Sequence, residues 1–354
     1  MLGVYQEEFN ACTLYRLTQP YTYAKKAGYN FNWLRLRDIE QVEGKHFDVI
    51  VLQRLIFKPE HLDTNMLTIA QDLGRESALV YETDDDILNV PESNPAYLSY
   101  QPQRQALSDF LGHVDAITCT GPGLAKTMRE YNSKVWQLPN YWDPTFWRQG
   151  IRLRSDYGIP ADALVIGTQG SYTHSEDWKI VEEPLKRIAE KYPDVHFLFA
   201  GYLPEYLEDL PNLHFAPWYE IKDHPAMTKL FDIGLCPLVD NQFNRGKSPI
   251  KALEFMMAKV PFVASPLQYE AVTKHDNTGY IARNTEDWFK YLDILVRSQS
   301  VRKRFAESGY RYVTERFNIQ KEYMKWVDAY HMIYLAKQRD SRSSNGNEPD
   351  IKVA

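Results

Sequence analysis

The residues best suited to chemistry lie in Phe243-Asn244-Arg245-Gly246-Lys247-Ser248-Pro249-Ile250-Lys251-Ala252-Leu253-Glu254. Ser248 is a preferred N-cap and Pro249 suits a first helical turn, so the pattern predicts a helix start at this point. Helix N-termini expose N–H groups and a partial positive charge, which together stabilise an anion. Arg245, Lys247 and Lys251 add full charges around that start, giving the composition of a phosphate cradle. Glu254 falls three residues after Lys251, on the same helix face, where it can accept hydrogen bonds from the hydroxyls of whatever carries the phosphate. The plain alternative is an amphipathic helix whose stripe of Ile250, Leu253 and Met257 packs on a core.

A second group, Glu82-Thr83-Asp84-Asp85-Asp86, follows the apolar run Ala78–Tyr81. Carboxylates at the end of a parallel strand face the ligand side of a sheet, so Asp84, Asp85 and Asp86 are candidates for catalysis. There they could accept a hydroxyl proton or stabilise positive charge on a sugar. Asp84-x-Asp86 is also a pattern that could hold a divalent ion against a diphosphate, but the cradle already supplies positive charge, so no metal is expected. Turn capping is the ordinary role of such aspartates. Gly170 and Ser171 suit a close backbone approach to a phosphate, and His174 could donate to a phosphate or sugar oxygen. Arg54, at the end of Asp48–Leu52, and Arg16 are the candidates on the acceptor side.

Elements must hold these groups in place. Apolar runs at Phe31–Leu36, Asp48–Leu52, Ala78–Tyr81, Ala116–Cys119 and Lys134–Leu138 predict strands, with helices near Leu14–Lys26, Asp63–Asp72, Gln103–Leu111 and Leu124–Tyr131 between them. Breakers after Pro139-Asn140 predict a hinge, beyond which alternation resumes. Strands are expected at Ala163–Gly167, Val195–Ala200, Leu213–Phe215, Ile233–Pro237, Phe262–Ala264 and Gly279–Ile281, with helices at Val181–Lys191, Pro225–Phe231, Pro249–Ala258, Glu286–Ser298 and Ser300–Arg316. This β/α alternation predicts an α/β protein with two doubly wound parallel sheets. A final helix over Gln320–Gln338 is expected to pack.

Composition sets outer limits. At 354 residues the chain is long enough for two domains. A net charge of −6 argues against broad attraction to nucleic acid. Three scattered cysteines without ligand spacing argue against a disulfide framework or zinc site and fit a reducing compartment. With neither a signal pattern nor a long apolar span, the reading is a cytoplasmic protein. The absence of GxxxxGK[ST], and of GxGxxG in the first sixty residues, sets aside P-loop and dehydrogenase functions.

Three stretches resemble the glycosyltransferases of family 4, whose two-Rossmann architecture is called GT-B. They are Asp115-Ala116-Ile117-Thr118-Cys119-Thr120 through Leu138-Pro139-Asn140-Tyr141-Trp142-Asp143; Ile166-Gly167-Thr168-Gln169-Gly170-Ser171 with His174 and Asp177; and Phe231-Asp232-Ile233-Gly234-Leu235-Cys236-Pro237-Leu238 running into the cradle and Val260-Pro261-Phe262-Val263-Ala264-Ser265. The resemblance implies a nucleotide-sugar site in the C-terminal domain, with Glu254 at the second position of the family's E-x7-E motif, on the ribose. Trp218 is similarly placed where relatives hold the nucleobase. The first motif position is Gly246, so the family's glutamate contact to the donor sugar is absent or replaced. Many relatives carry an Arg and a Lys in the loop after the first C-domain strand, where this chain has Gly170-Ser171-Tyr172-Thr173-His174, and the N-terminal glycine-rich loop is missing.

The expected organisation is an N-terminal acceptor-binding domain over 1–145, a nucleotide-sugar-binding domain over 146–318 facing it across a cleft, a helix over 319–338 packing back on the first domain, and a disordered tail over 339–354. The expected function is transfer of a hexose from a nucleotide-diphosphate sugar to the hydroxyl of a glycan or small molecule, with retention as the resemblance suggests and without metal or other cofactor. Arg245, Lys247 and Ser248 would then serve the diphosphate. Alternatives are transfer to a modified DNA base, with nucleic acid as acceptor substrate; a nucleotide-sugar epimerase; and a non-catalytic module that only binds a sugar nucleotide.

Overall fold

The computed structural model describes residues 1–5, 10–36, 38, 45–54, 72 and 75–344. The helix expected over 63–72 lies outside them except for Asp72. Two compact units divide the chain: residues 1–84, 102–139 and 319–354 form the first, and residues 85–101 and 140–318 the second. The reading from sequence had placed 85–101 with the rest of 1–145; the structure puts these residues in the second unit.

The first unit holds a six-stranded parallel sheet of β1 (Leu2–Tyr5), β2 (Asn32–Arg35), β3 (Val49–Gln53), β4 (Ala78–Thr83), β5 (Ala116–Cys119) and β6 (Val135–Gln137), ordered β2-β1-β3-β4-β5-β6. Strands β3, β4 and β5 are buried at every residue, as a parallel sheet covered on both faces requires. Helices at Arg104–Leu111, Pro122–Met128 and 11–26 connect the strands, and a last helix, Met324–Ser344, lies in the same unit. That helix buries Trp326, Tyr330 and Ile333 and brings the Tyr330 hydroxyl to 3.3 Å from that of Tyr21. It runs through 344, so residues 339–344, assigned from sequence to a disordered tail, are helical.

The second unit repeats the plan with β7 (Leu164–Gln169), β8 (Val195–Ala200), β9 (Leu213–Ala216), β10 (Ile233–Cys236), β11 (Phe262–Ala264) and β12 (Tyr280–Ile281), ordered β12-β11-β10-β7-β8-β9 and parallel throughout. Its core gathers Trp178, Leu185 and Ile188 from the helix Ser175–Lys191, Phe197 and Phe199 from β8, and Trp288 and Leu292 from the helix Thr285–Arg297. One device recurs in both sheets. Asp115, just before β5, accepts the Leu79 N–H of β4 at 2.8 Å and pairs with Lys337 at 3.0 Å. Asp232, just before β10, accepts the Val165 N–H of β7 at 2.8 Å and pairs with Arg154 at 2.8 Å. Each aspartate satisfies a backbone donor at the entry of a neighbouring strand and fixes the register there.

The helix Ile250–Met257 is seated by Phe255, whose ring covers Gly234 of β10 so closely that a Cβ at that glycine would lie 2.7 Å from it. Residues 252–257 are buried all round and the first turn is half-buried, so this is a core helix and not the one-sided amphipathic helix of the plain alternative. Among the described residues no helix is long and apolar enough to cross a membrane.

Candidate active site

In an open parallel sheet, ligands bind beyond the carboxyl ends of the strands. In the second unit that edge carries Gly170 after β7, Gly201 after β8 and the start of Ile250–Met257 after β10. Gly170 lies near Lys251 and His174: a Cβ there would stand 3.2 Å from Lys251 Nζ and 3.1 Å from the His174 ring. Gly201 has φ +90, a left-handed conformation that favours glycine, and a Cβ there would meet Trp218 at 3.0 Å. Trp218 lies over this backbone with 69% of its surface exposed, a large apolar face available for stacking.

Lys251 and His174 act as a pair. The Lys251 ammonium is 3.4 Å from His174 Nε2, and Asp177 Oδ2 is 2.7 Å from His174 Nδ1. Asp177 Oδ1 in turn accepts the Val239 N–H at 2.9 Å and the Asn244 side-chain amide at 2.7 Å, tying the first turn of Ser175–Lys191 to the loop after β10. Burial and the neighbouring Lys251 push His174 down to about 4, so the ring is neutral at pH 7. With its proton on Nδ1 toward Asp177, Nε2 offers a lone pair to Lys251. Expected from sequence to donate to a phosphate or sugar oxygen, His174 here faces Lys251 with its Nε2. Burial also lowers the Lys251 pKa, with Glu254 acting in the opposite direction.

Ser248 does not cap the helix. Pro249 holds the N-cap position without a side-chain bond, and the Ser248 hydroxyl accepts from Asn140 Nδ2 at 3.0 Å. Pro249 has a helix-compatible φ of −77, but its ψ of 27 is not helical, so the helix starts one residue later than the serine rule predicts. Arg245 is exposed and spends its charge on Asp240 at 2.7 Å, so the cations at the cradle are Lys247 and Lys251. Lys251, read from sequence as one of the three cations around the helix start, stands here beside His174.

Lys247 is nearly buried, with its ammonium 4.2 Å from the centre of the Phe243 ring and 3.3 Å from Asp85 Oδ1. Glu254 is also nearly buried, at 2.9 Å from His224 Nε2. His224 Nδ1 lies 3.0 Å from the Tyr219 hydroxyl, which donates to Gln169 Oε1 at 3.0 Å. The carboxylate is thus oriented by a network anchored in β7. Ser171 turns its hydroxyl to Thr173 at 2.7 Å.

The three aspartates do not act as one cluster. Asp84 belongs to the first unit, 3.3 Å from Arg54, whose guanidinium also donates to Cys12 Sγ at 3.0 Å. Arg54 has φ +44, a left-handed backbone rare for a non-glycine residue. Asp86 is fully buried, with both oxygens accepting from Asn89 Nδ2 at 3.0 Å, which makes it a turn-builder instead of a catalytic group. Asp85 is the aspartate whose carboxylate pairs with a cradle cation, Lys247. No group of three or more His, Cys, Asp or Glu side chains converges on a point that could hold a metal ion, among the described residues. Arg16 is buried in the first unit, 2.6 Å from Glu82, which also accepts from Thr118, and it lies over the Trp326 ring. It is a core ion pair, not an acceptor-binding residue, because a charge with no exposure and a bonded counter-ion cannot reach a ligand. A cavity of about 370 Å³ lined by Asp115, Val135, Trp136 and Ile333 sits at the amino ends of β5 and β6, away from the ligand edge of that sheet.

Residues 163–298 match the family described as Glycosyl transferases group 1. The match spans less than half of the chain and makes this stretch similar to the group 1 glycosyltransferases. It contains every residue of the cradle, together with Gly170, His174, Trp218 and Glu254. No curated protein matches the chain. Among solved structures, the sucrose-phosphate synthase of Thermosynechococcus elongatus aligns with TM-score 0.65 at 11% identity, covering 95% of this chain and 99% of its own. Anabaena HepE in complex with UDP and glucose aligns with TM-score 0.64 at 14% identity, covering 92% and 98%. These likenesses establish a GT-B fold of two Rossmann-like sheets.

Proposed function

We propose that this protein is a metal-independent, retaining glycosyltransferase that moves a hexose from a nucleoside-diphosphate sugar to an acceptor hydroxyl. The observation that carries the reading is the joint placement, at the ligand edge of one sheet, of two ammonium groups, a helix start, an oriented carboxylate and an exposed indole. Lys247, Lys251 and the first turn of Ile250–Met257 would meet the diphosphate, and Glu254, held by His224, would accept from the ribose hydroxyls. Trp218 offers a face for the base. That HepE was solved with UDP and glucose supports the same ligand class. As the glycosidic bond to the β-phosphate breaks, electrons and negative charge move onto the leaving diphosphate. Preorganised cations in a water-poor site lower the energy of that charge, an effect worth about 3 kcal/mol per donor in comparable sites.

The test is a panel of UDP, GDP and ADP sugars scored by thermal shift and slow hydrolysis. At a hundredfold excess over Kd, a true donor contributes about 2.7 kcal/mol, a shift of several degrees. Lys247→Ala and Glu254→Ala should remove most of it. Equal melting of wild type and variants with every sugar nucleotide overturns the donor site, and binding without hydrolysis or transfer identifies a binding module. The anomeric configuration of the product, read by NMR, decides retention.

A further inference from the structure

We propose that Asp85 discriminates the sugar-bearing donor from the free nucleoside diphosphate left after transfer, by placing a fixed negative charge beside the phosphate that Lys247 holds. The inference rests on the donor reading above. An ammonium nitrogen binds acceptors at roughly tetrahedral directions, so a phosphate oxygen on Lys247 Nζ would stand about 5 Å from the Asp85 oxygen already 3.3 Å from that nitrogen. At such a distance, in a half-buried setting, two like charges repel strongly. The sugar ester caps one oxygen of the terminal phosphate. Once the sugar has left, that oxygen is exposed and can carry one further negative charge near neutral pH. Asp85 therefore opposes the product more than the donor.

Asp85 is held in place. Its neighbour Asp86 packs against Gly246 so closely that a Cβ at 246 would lie 2.7 Å from Asp86 Cβ and 3.4 Å from its backbone nitrogen. The Asp86 carboxylate is gripped by Asn89, and Val90 and Ala96 bury Phe243, the ring beneath Lys247. The carboxylate at 85 is thus built into the nucleotide-binding unit from a distant part of the chain. Gly246, the one position in the cradle without a side chain, is the contact that admits it.

Calorimetric titration of the full-length protein with the pairs UDP and UDP-glucose, GDP and GDP-mannose, and ADP and ADP-glucose tests the assignment. Asp85→Asn should tighten the nucleoside diphosphate about tenfold and its sugar ester less than about threefold, while Asp85→Glu keeps the wild-type ratio. Asp85→Ser provides the same comparison if the amide disturbs the turn. Equal changes for both members of a pair, or weaker binding of the diphosphate, overturn the role of Asp85 and leave the donor site standing. If no pair binds the wild type, the donor reading fails and this inference fails with it.

Discussion

His174 shows how a single side chain here is set by its surroundings and not by its type. A histidine in a phosphate-facing loop invites a cationic role, but desolvation and the adjacent Lys251 ammonium hold this one at about 4. Its folded-state pKa lies below the ordinary value near 6.5, so unfolding takes up a proton at intermediate pH. The stability this contributes is complete above pH 6.5 and is lost as pH falls toward 4, to a limit of about 3 kcal/mol. Wild type should consequently lose several degrees more in Tm between pH 6.5 and 4 than His174→Gln. Parallel melting curves would show that the ring is already charged or solvent-screened in the folded protein. The same substitution should loosen Lys251 and raise the KM for the donor at neutral pH.

At the scale of elements, the loop after β7 depends on a segment far away in sequence. Asn94 is nearly buried and donates from Nδ2 to the Thr173 carbonyl at 2.8 Å, and Ser93 bonds Glu176 at 2.8 Å. Truncation by Asn94→Ala leaves a carbonyl without its donor, at a cost of about 1–3 kcal/mol. Because Thr173 adjoins His174, donor affinity should fall with stability, most simply seen as a smaller ligand-induced Tm shift. Unchanged affinity would mean the loop holds itself.

Most strands of both sheets were legible because each is a short, largely apolar run between turn residues. Leu2–Tyr5 was not, since its four residues carry too little pattern. The helix Gln242–Arg245, capped by Asn241, was hidden inside a motif read for charge alone. The helix and cations of the cradle could be read, but the partners that assign each charge could not. Arg16 with Glu82 and Lys247 with Asp85 are pairings set by tertiary packing, and Arg245 with Asp240 is a local pair across the turn before Gln242–Arg245.

The whole chain does not divide at one hinge. It passes from one unit to the other at 84/85, 101/102, 139/140 and 318/319, so the second unit is complete only when residues 85–101 are present. Those residues supply Asp85 to Lys247, Val90 and Ala96 to Phe243, and Asn94 to Thr173. An excised 140–318 stretch keeps the whole sheet and every donor residue except Asp85, yet leaves Phe243 uncovered. Exposing one phenyl ring costs about 2 kcal/mol by its area alone. Losing the Asn94 bond adds a similar amount. The excised stretch should therefore melt well below the full chain in the presence of UDP, and its affinity for UDP-glucose should drop. Joining 85–101 to its N-terminus through a flexible linker should restore both. If 140–318 alone matches the full chain in Tm and affinity, the borrowed segment is a passenger and the second unit is self-sufficient without it.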